Sequence, residues 1–132
     1  MKKKKIWPFV LLGILTGILL IGAGLIKYLD SNMDKLTSVV IAEVDLTGIE
    51  DGVFKGSYSA FPVIVEVEVT IHSHSITKIK LIKHMNGQGS AAESITDKVM
   101  EAQSLQVDVV SGATYSSKAI LKAIDDALTK SN

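Results

Sequence analysis

The apolar positions of the 132-residue chain follow three different periods. From Ile6 to Ile26 the run "IWPFVLLGILTGILLIGAGLI" holds 21 residues without a charge. As an α-helix rising about 1.5 Å per residue, it reaches about 30 Å, the hydrocarbon thickness of a bilayer. Between Val53 and His84 the period falls to two. In "VIVEVEVTI" the residues Val63, Val65, Val67, Val69 and Ile71 share one face, and Glu66, Glu68 and Thr70 the other. "ITKIKLIKH" repeats the pattern, with Ile79 and Leu81 opposed to Lys78 and Lys80, and "HSHS" at 72–75 is the turn between the two strands. A shorter strand in "DGVFKGSYS" puts Phe54 and Tyr58 on one face with Gly56 between them, a spacing that marks close approach of another backbone or a ligand. After "HMNGQG" the period becomes helical. Ala92, Ile95, Val99 and Met100 form a stripe in "SAAESITDKVMEAQS", with Ser90 and Glu93 as a capping box at its start. Ala119, Ile120, Ala123, Ile124, Ala127 and Leu128 form another in "SSKAILKAIDDALTK", capped by Ser116 or Ser117.

These elements predict an α+β domain: a small antiparallel sheet covered on one face by two helices and preceded by one N-terminal transmembrane helix. The boundaries follow the composition. Residues 1–5 read as a basic tail, 6–26 as a membrane anchor, 27–49 as a juxtamembrane stalk containing a short helix, and 50–130 as the folded domain. Trp7 and Tyr28 bracket the apolar run as an aromatic belt would, and Pro8 falls near the first helical position, where a missing N–H is harmless.

Charge then sets an orientation. All the basic residues are Lys, and Lys2, Lys3, Lys4 and Lys5 stand before the span while only Lys27 follows it closely. The positive-inside rule therefore predicts residues 1–5 in the cytoplasm and the domain outside the cell membrane. A cleaved signal peptide, with its shorter apolar core and small-x-small site, is the alternative, and "IGAG" at 21–24 is a poor site of that kind. Both readings export the domain. The part from Lys27 onward holds 10 Lys against 14 Asp and Glu, a poor electrostatic match to nucleic acid. The chain has no Cys, which excludes disulfides, thiolate metal sites and a lipid-modified cysteine.

A domain of this size without disulfides draws only about 3–5 kcal/mol from its core, so a bound cofactor would matter to its stability. Gly87, Gly89 and Ala92 match G-x-G-x-x-A, with Asp108 19 residues past Gly89, but the preceding strand alternates with Lys where a dinucleotide-binding strand is apolar on both faces. The glycines are better read as letting the loop bend at a helix start. His72 and His74 lie in a turn with no third metal ligand in view, whereas His84 ends a strand beside the glycine loop and is either a structural hydrogen bonder or a cofactor contact. Asp125 and Asp126 read as solvated residues on the polar side of the last helix. No G-x-S-x-G, H-E-x-x-H or P-loop occurs, which leaves hydrolytic and nucleotide-splitting chemistry unsupported. In "VDVVSGATYSS", Gly112 permits backbone angles other residues resist, Ala113 leaves room, and Thr114 stands just before a helix N-terminus. That position suits either a helix-capping hydroxyl or a phosphate facing unpaired N–H groups.

Taken together, "DGVFKGSYS", the strand pair, "NGQGSAAESI" and above all "QVDVVSGATYSSKAILKAIDDAL" resemble the small FMN-binding domain family. The family includes a flavin-carrying subunit of the sodium-translocating NADH:quinone oxidoreductase, the corresponding Rnf-complex subunit, and one end of some extracytoplasmic flavin reductases. The resemblance covers roughly residues 50–129. It implies FMN as cofactor, phosphoester-linked to Thr114, with Asp108, Ser111, Gly112 and Ala113 as the word read by a magnesium-dependent flavin transferase that takes FMN from FAD. It further implies that loops 84–90 and 108–115 converge on the flavin, with His84, Gly87 and Gly89 as contacts and Phe54 or Tyr58 as aromatic neighbours. "HSHS" departs from the Asp-Gly-Lys type of turn frequent in the family, a change at the tip alone. Within these residues no reductase, channel or second redox module accompanies the domain. The expected function is therefore electron transfer by a membrane-anchored extracytoplasmic carrier, between a membrane donor and an outside acceptor, more a carrier than a complete oxidoreductase. The alternatives are a non-covalent FMN sensor or accessory subunit of a membrane redox complex, and a tethered interaction module without flavin.

Overall fold

The computed structural model describes residues 6–85 and 89–131, and the chain divides into a unit ending at Ser31 and a unit beginning at Asn32. Helix α1 runs from Trp7 to Ser38, 32 residues. Its most apolar window has a mean hydropathy of 2.6 and no buried residue, so α1 is long and apolar enough to cross a membrane. The Thr16 hydroxyl donates to the carbonyls of Leu12 and Gly13 and so exposes no unsatisfied donor on the apolar surface. The helix does not end with the apolar run. Residues 27–38 contain neither Gly nor Pro, so nothing breaks the ladder until the β-branched pair Val39–Val40.

In the second unit, part of the stretch read as a stalk packs with the domain: Leu36 and Ile49 are both fully buried in its core. Asp45 caps a short 3-10 turn, Leu46–Gly48, by accepting from the amide and hydroxyl of Thr47. These two bonds hold the Asp45 carboxyl below its ordinary pKa.

Among the described residues the sheet has three strands, β1 (Gly52–Ala60), β2 (Val63–His72) and β3 (Ser75–Met85), paired antiparallel in that order. No parallel crossover exists in it, so the dinucleotide-binding geometry is excluded for this sheet. The alternation appears in space: Val63, Val65, Val67, Val69 and Ile71 are buried, and Phe54, Gly56 and Tyr58 of β1 face Val69, Val67 and Val65. The hairpin between β2 and β3 turns on two residues, Ser73 (φ 51°) and His74 (φ 58°), the geometry of a type I′ turn.

Helix α2 (Ile95–Ala102) and helix α3 (Thr114–Thr129) pack on the apolar side of the sheet, α3 supplying Ala119, Ile120, Ala123, Ile124, Ala127 and Leu128 to the core. The helix expected from Ser90 begins instead as a 3-10 turn, Gly89–Ser94. The expected capping box does not form, because the Glu93 carboxylate turns to His84.

Gly56 explains how α3 lies so close. A Cβ there would overlap the carbonyl oxygen of Ala123 and the amide nitrogen of Ala127, so the backbone of the helix rests directly on β1. The close approach predicted at this glycine is thus that of another backbone. One residue on, Asp126 accepts the Ser57 amide at 2.9 Å and Lys130 at 2.7 Å. Asp125 is 9% exposed and takes Lys122 at 2.6 Å. Neither carboxylate is simply solvated, as their place opposite the apolar stripe implied: Asp126 is bound to the strand, and Asp125 is buried with Lys122 on the helix.

Candidate functional site

The loop from Ser104 to Ala113 carries the motif, and its shape is set by a few contacts. Leu105 is buried and anchors it. Gln106 donates from its side chain to the Ile41 carbonyl at 2.5 Å, and the Asp108 carbonyl accepts Lys98 of α2 at 3.2 Å. The Val110 amide donates to the Ser117 hydroxyl at 3.0 Å, and the Ala113 amide closes back on the Val110 carbonyl at 3.0 Å. Gly112 stands in that four-residue turn with φ 77°, as the third residue of a type II turn requires. A Cβ on Gly112 would meet nothing within 4 Å, so glycine is needed here for its backbone angle and not for space.

Ala113 is the N-cap residue of α3, 7% exposed, and its carbonyl accepts the Ser117 amide at 2.9 Å. It has no side chain with which to cap. Thr114 is therefore the first residue of the helix. This corrects the expectation that Ser116 or Ser117 caps α3: the helix starts earlier, both serines are buried inside it, and Ser117 reaches back to hold the loop. The outcome leaves the first amides of α3 open at the turn, with Thr114 half-buried beside them. Its hydroxyl takes part in no hydrogen bond among the described residues.

The other candidates fall around this turn. His84 faces the helices because Ile82 is bulged out of register: Leu81 pairs with Val67, but Lys83 pairs with Glu66 and His84 with Val65. Strict alternation after Leu81 would have sent His84 to the solvent face. Its side chain is 3% exposed, with Nδ1 3.1 Å from Glu93 Oε1. Gly89 opens the 3-10 turn after β3, and that turn packs on α3, the helix that Thr114 begins. Gly87 lies outside the described residues. Asp108 and Ser111 are exposed, and Asp108 lines a cleft of about 510 Å³ with Lys98, Glu101, Ala102, Gln106 and Val107.

The two aromatic candidates both lie on β1. Phe54 packs against the core opposite Val69. Tyr58 lines a cleft of about 240 Å³ with Ser57, Lys122, Asp125, Asp126 and Thr129. Thr129 ends α3, roughly 22 Å along the helix from Thr114 at 1.5 Å per residue, so Tyr58 sits by the opposite end of α3 from Thr114. His72 pairs with Asp51 at 2.7 Å and His74 contacts the Ile49 carbonyl at 3.2 Å; no group of three metal-ligating side chains occurs among the described residues.

Three residues carry no mark in the sequence: Lys98, which holds the Asp108 backbone; Gln103, which ends α2; and Lys118, four residues beyond Thr114. The last had a usable signal, since positions i and i+4 share a helix face.

A phosphorylated cofactor fits this arrangement. An open hydroxyl at the first position of a helix, backbone amides without a side-chain cap and a glycine turn without obstruction suit a phosphate. Comparison with known proteins agrees. The model of the FMN-binding domain matches residues 63–129. An uncharacterized protein of Treponema pallidum (strain Nichols) is 31% identical over 83 residues, 61% of this chain and 23% of that one. Urocanate reductase of Eggerthella lenta is 37% identical over 68 residues, 49% of this chain and 11% of that one. The chain thus spans less than a quarter of either relative's length. The matched stretch takes in β2, β3, α2, α3 and the whole turn before Thr114, and by it the chain belongs to the FMN-binding domain family, with FMN as its cofactor.

Proposed function

We propose that the protein is a membrane-anchored, extracytoplasmic electron carrier whose FMN is joined through its phosphate to Thr114. The observation that carries this reading is the placement of Thr114: first residue of α3, directly after the Gly112 turn, its hydroxyl uncommitted among the described residues. In the attachment step the Thr114 oxygen bonds to the phosphorus of the FMN half of FAD. The pyrophosphate bond breaks, AMP leaves, and the flavin transferase takes the hydroxyl proton.

When bound, the flavin supplies the redox chemistry, accepting and releasing electrons. The chain's own residues bind and orient it. Gly112 and Ala113 present Thr114 to the transferase, the first amides of α3 face the phosphate, and Lys98 fixes the Asp108 segment. His84, at the end of β3, pairs with Glu93 of the 3-10 turn that packs on the same helix.

Anchoring rests on α1, and the outside location rests on the Lys2–Lys5 block before it. The partners of this reading are a flavin transferase for maturation, an electron donor in the membrane and an acceptor outside it. Reversible FMN binding is the second reading, favoured by the cleft beside Asp108, whose volume lies within the range of ligand sites, about 300–1,000 Å³.

The readings separate in one experiment. The full chain is coexpressed with a flavin transferase, denatured and run on a gel. Flavin fluorescence on the wild-type band and none on Thr114→Ala supports attachment; a yellow native protein whose denatured band is dark supports reversible binding. Because the chain has no Cys, a single Ser59→Cys label tests topology: reaction with a membrane-impermeant maleimide on intact cells supports the outside placement, and reaction only after lysis contradicts it.

A further inference from the structure

We propose that Lys118 pairs with the phosphodiester of the flavin carried on Thr114, a positioning role that rests on the attachment proposed above. Lys118 follows Thr114 by four residues in α3, so both side chains stand on one face of the helix. Long side chains in a helix lean back over the turn N-terminal to their own Cα, which here is the turn that Thr114 begins. Lys118, half-buried as a residue, donates from its ammonium to the carbonyl of Thr37 in the last turn of α1. That carbonyl is among the four that a helix end leaves without an intrahelical donor.

The other lysine of α3, Lys122, and Lys130 just past its end are committed to carboxylates, Lys122 to Asp125 at 2.6 Å and Lys130 to Asp126 at 2.7 Å. Lys118 meets a neutral carbonyl, and no carboxylate among the described residues pairs with it. It lines a groove of about 250 Å³ with Val39, Val40, Ile41, Val107 and Val109, whose aliphatic walls weaken competition from water. A phosphodiester on Thr114 brings one negative charge to this neighbourhood, where the carbonyl end of α1 is itself electronegative. An ammonium has three donors and can serve the Thr37 carbonyl and a phosphate oxygen together. Lys118 thereby offsets the repulsion between a helix C-terminus and the cofactor's phosphate.

The test uses the full chain in detergent, flavinylated by a coexpressed transferase, beside an unflavinylated Thr114→Val chain. Lys118→Met and Lys118→Gln are introduced into both. Thermal midpoints are measured, and the phosphodiester is followed by phosphorus NMR in the flavinylated proteins. The expected result is a loss of thermal midpoint larger by roughly 4 °C in the flavinylated background. A moved phosphorus resonance should accompany it, and Lys118→Arg should restore both. Lys118→Gln keeps a donor for Thr37 without the charge, so its loss should appear in the flavinylated chain alone. Equal losses in the two backgrounds with an unmoved resonance would show that Lys118 serves Thr37 only and overturn the proposal. A wild-type chain with no covalent phosphorus would instead overturn the Thr114 attachment, and this pairing with it.

Discussion

Gly56 of β1 and Ala123 of α3 touch backbone to backbone: a Cβ on the glycine would overlap the alanine carbonyl oxygen, and the Ala127 methyl would stand 2.8 Å away. This contact sets the depth at which α3 seats on the sheet and hence where its first residue, Thr114, emerges. Gly56→Ala has only backbone to push against, so the helix must lift. The expected loss is about 2–3 kcal/mol, at the upper end for overpacked cores, read from the urea midpoint of unfolding. Ser57→Ala, one residue away and exposed, should cost far less, because the Asp126 bond is made to its backbone amide and survives the change.

Gln103 closes the free edge of β3. Its residue is the left-handed C-cap of α2 (φ 52°), and its amide side chain accepts the Ile76 amide at 2.7 Å while donating to the Ile76 carbonyl at 2.9 Å and to Met100 at 2.6 Å. The side chain mimics a peptide group of a neighbouring strand. Gln103→Ala should lose about 1–3 kcal/mol and open Ile76 to solvent, seen as faster amide hydrogen exchange at that residue. Gln103→Gly should recover part of the backbone term and none of the exchange protection.

The hairpin tip holds two non-glycine residues in the left-handed region, steadied by Asp51, which accepts the Ser73 amide at 2.7 Å and pairs with His72. Replacing Ser73-His74 with Asn-Gly, the pair type I′ turns prefer, should raise stability by about 1 kcal/mol despite losing the His74 contact to Ile49. A lowered thermal midpoint would show that the turn is not of this type.

Acid should weaken the α3–β1 junction through Asp126. Burial pushes its carboxyl up, but the hydrogen bonds from Lys130 and the Ser57 amide, with the charges of Lys130 and Lys122, outweigh this and leave its pKa below the ordinary value of 3.8. A carboxyl whose folded pKa is lowered contributes stability above its unfolded pKa and loses it as the pH falls through the folded value. Asp126→Asn should therefore be less stable than wild type at neutral pH, and the gap should close as the pH falls below about 4. A gap that stays constant down to pH 2 would contradict this.

Much of the domain was legible because its signals are local. The alternation of Val63 to Ile71 placed the core face of β2, the stripe from Ala119 to Leu128 placed α3, and Gly56 marked a close approach. What escaped depends on partners distant in sequence. Ser117 resembles a cap until Val110 is seen to claim its hydroxyl, which moves the start of α3 back to Thr114. His84 turns inward only through the bulge at Ile82, which the alternation of "ITKIKLIKH" does not record. Glu93 reads as half of a capping box until His84 takes it, and Asp125 reads as solvated until α3 seats on β1. The continuation of α1 past Ile26 was hidden for another reason: a loss of apolarity marks the edge of a membrane span but does not stop a helix.

The bond at Thr114 is the centre of the account, and mass spectrometry of the flavinylated full chain tests it most directly. Proteolysis should yield one peptide containing Thr114 heavier by one FMN less one water, with fragmentation placing the addition on that residue, and the Thr114→Ala chain should show no added mass. An unmodified Thr114 peptide from a chain that is yellow when folded, or the addition mapped to Ser111 or Ser116, would contradict it.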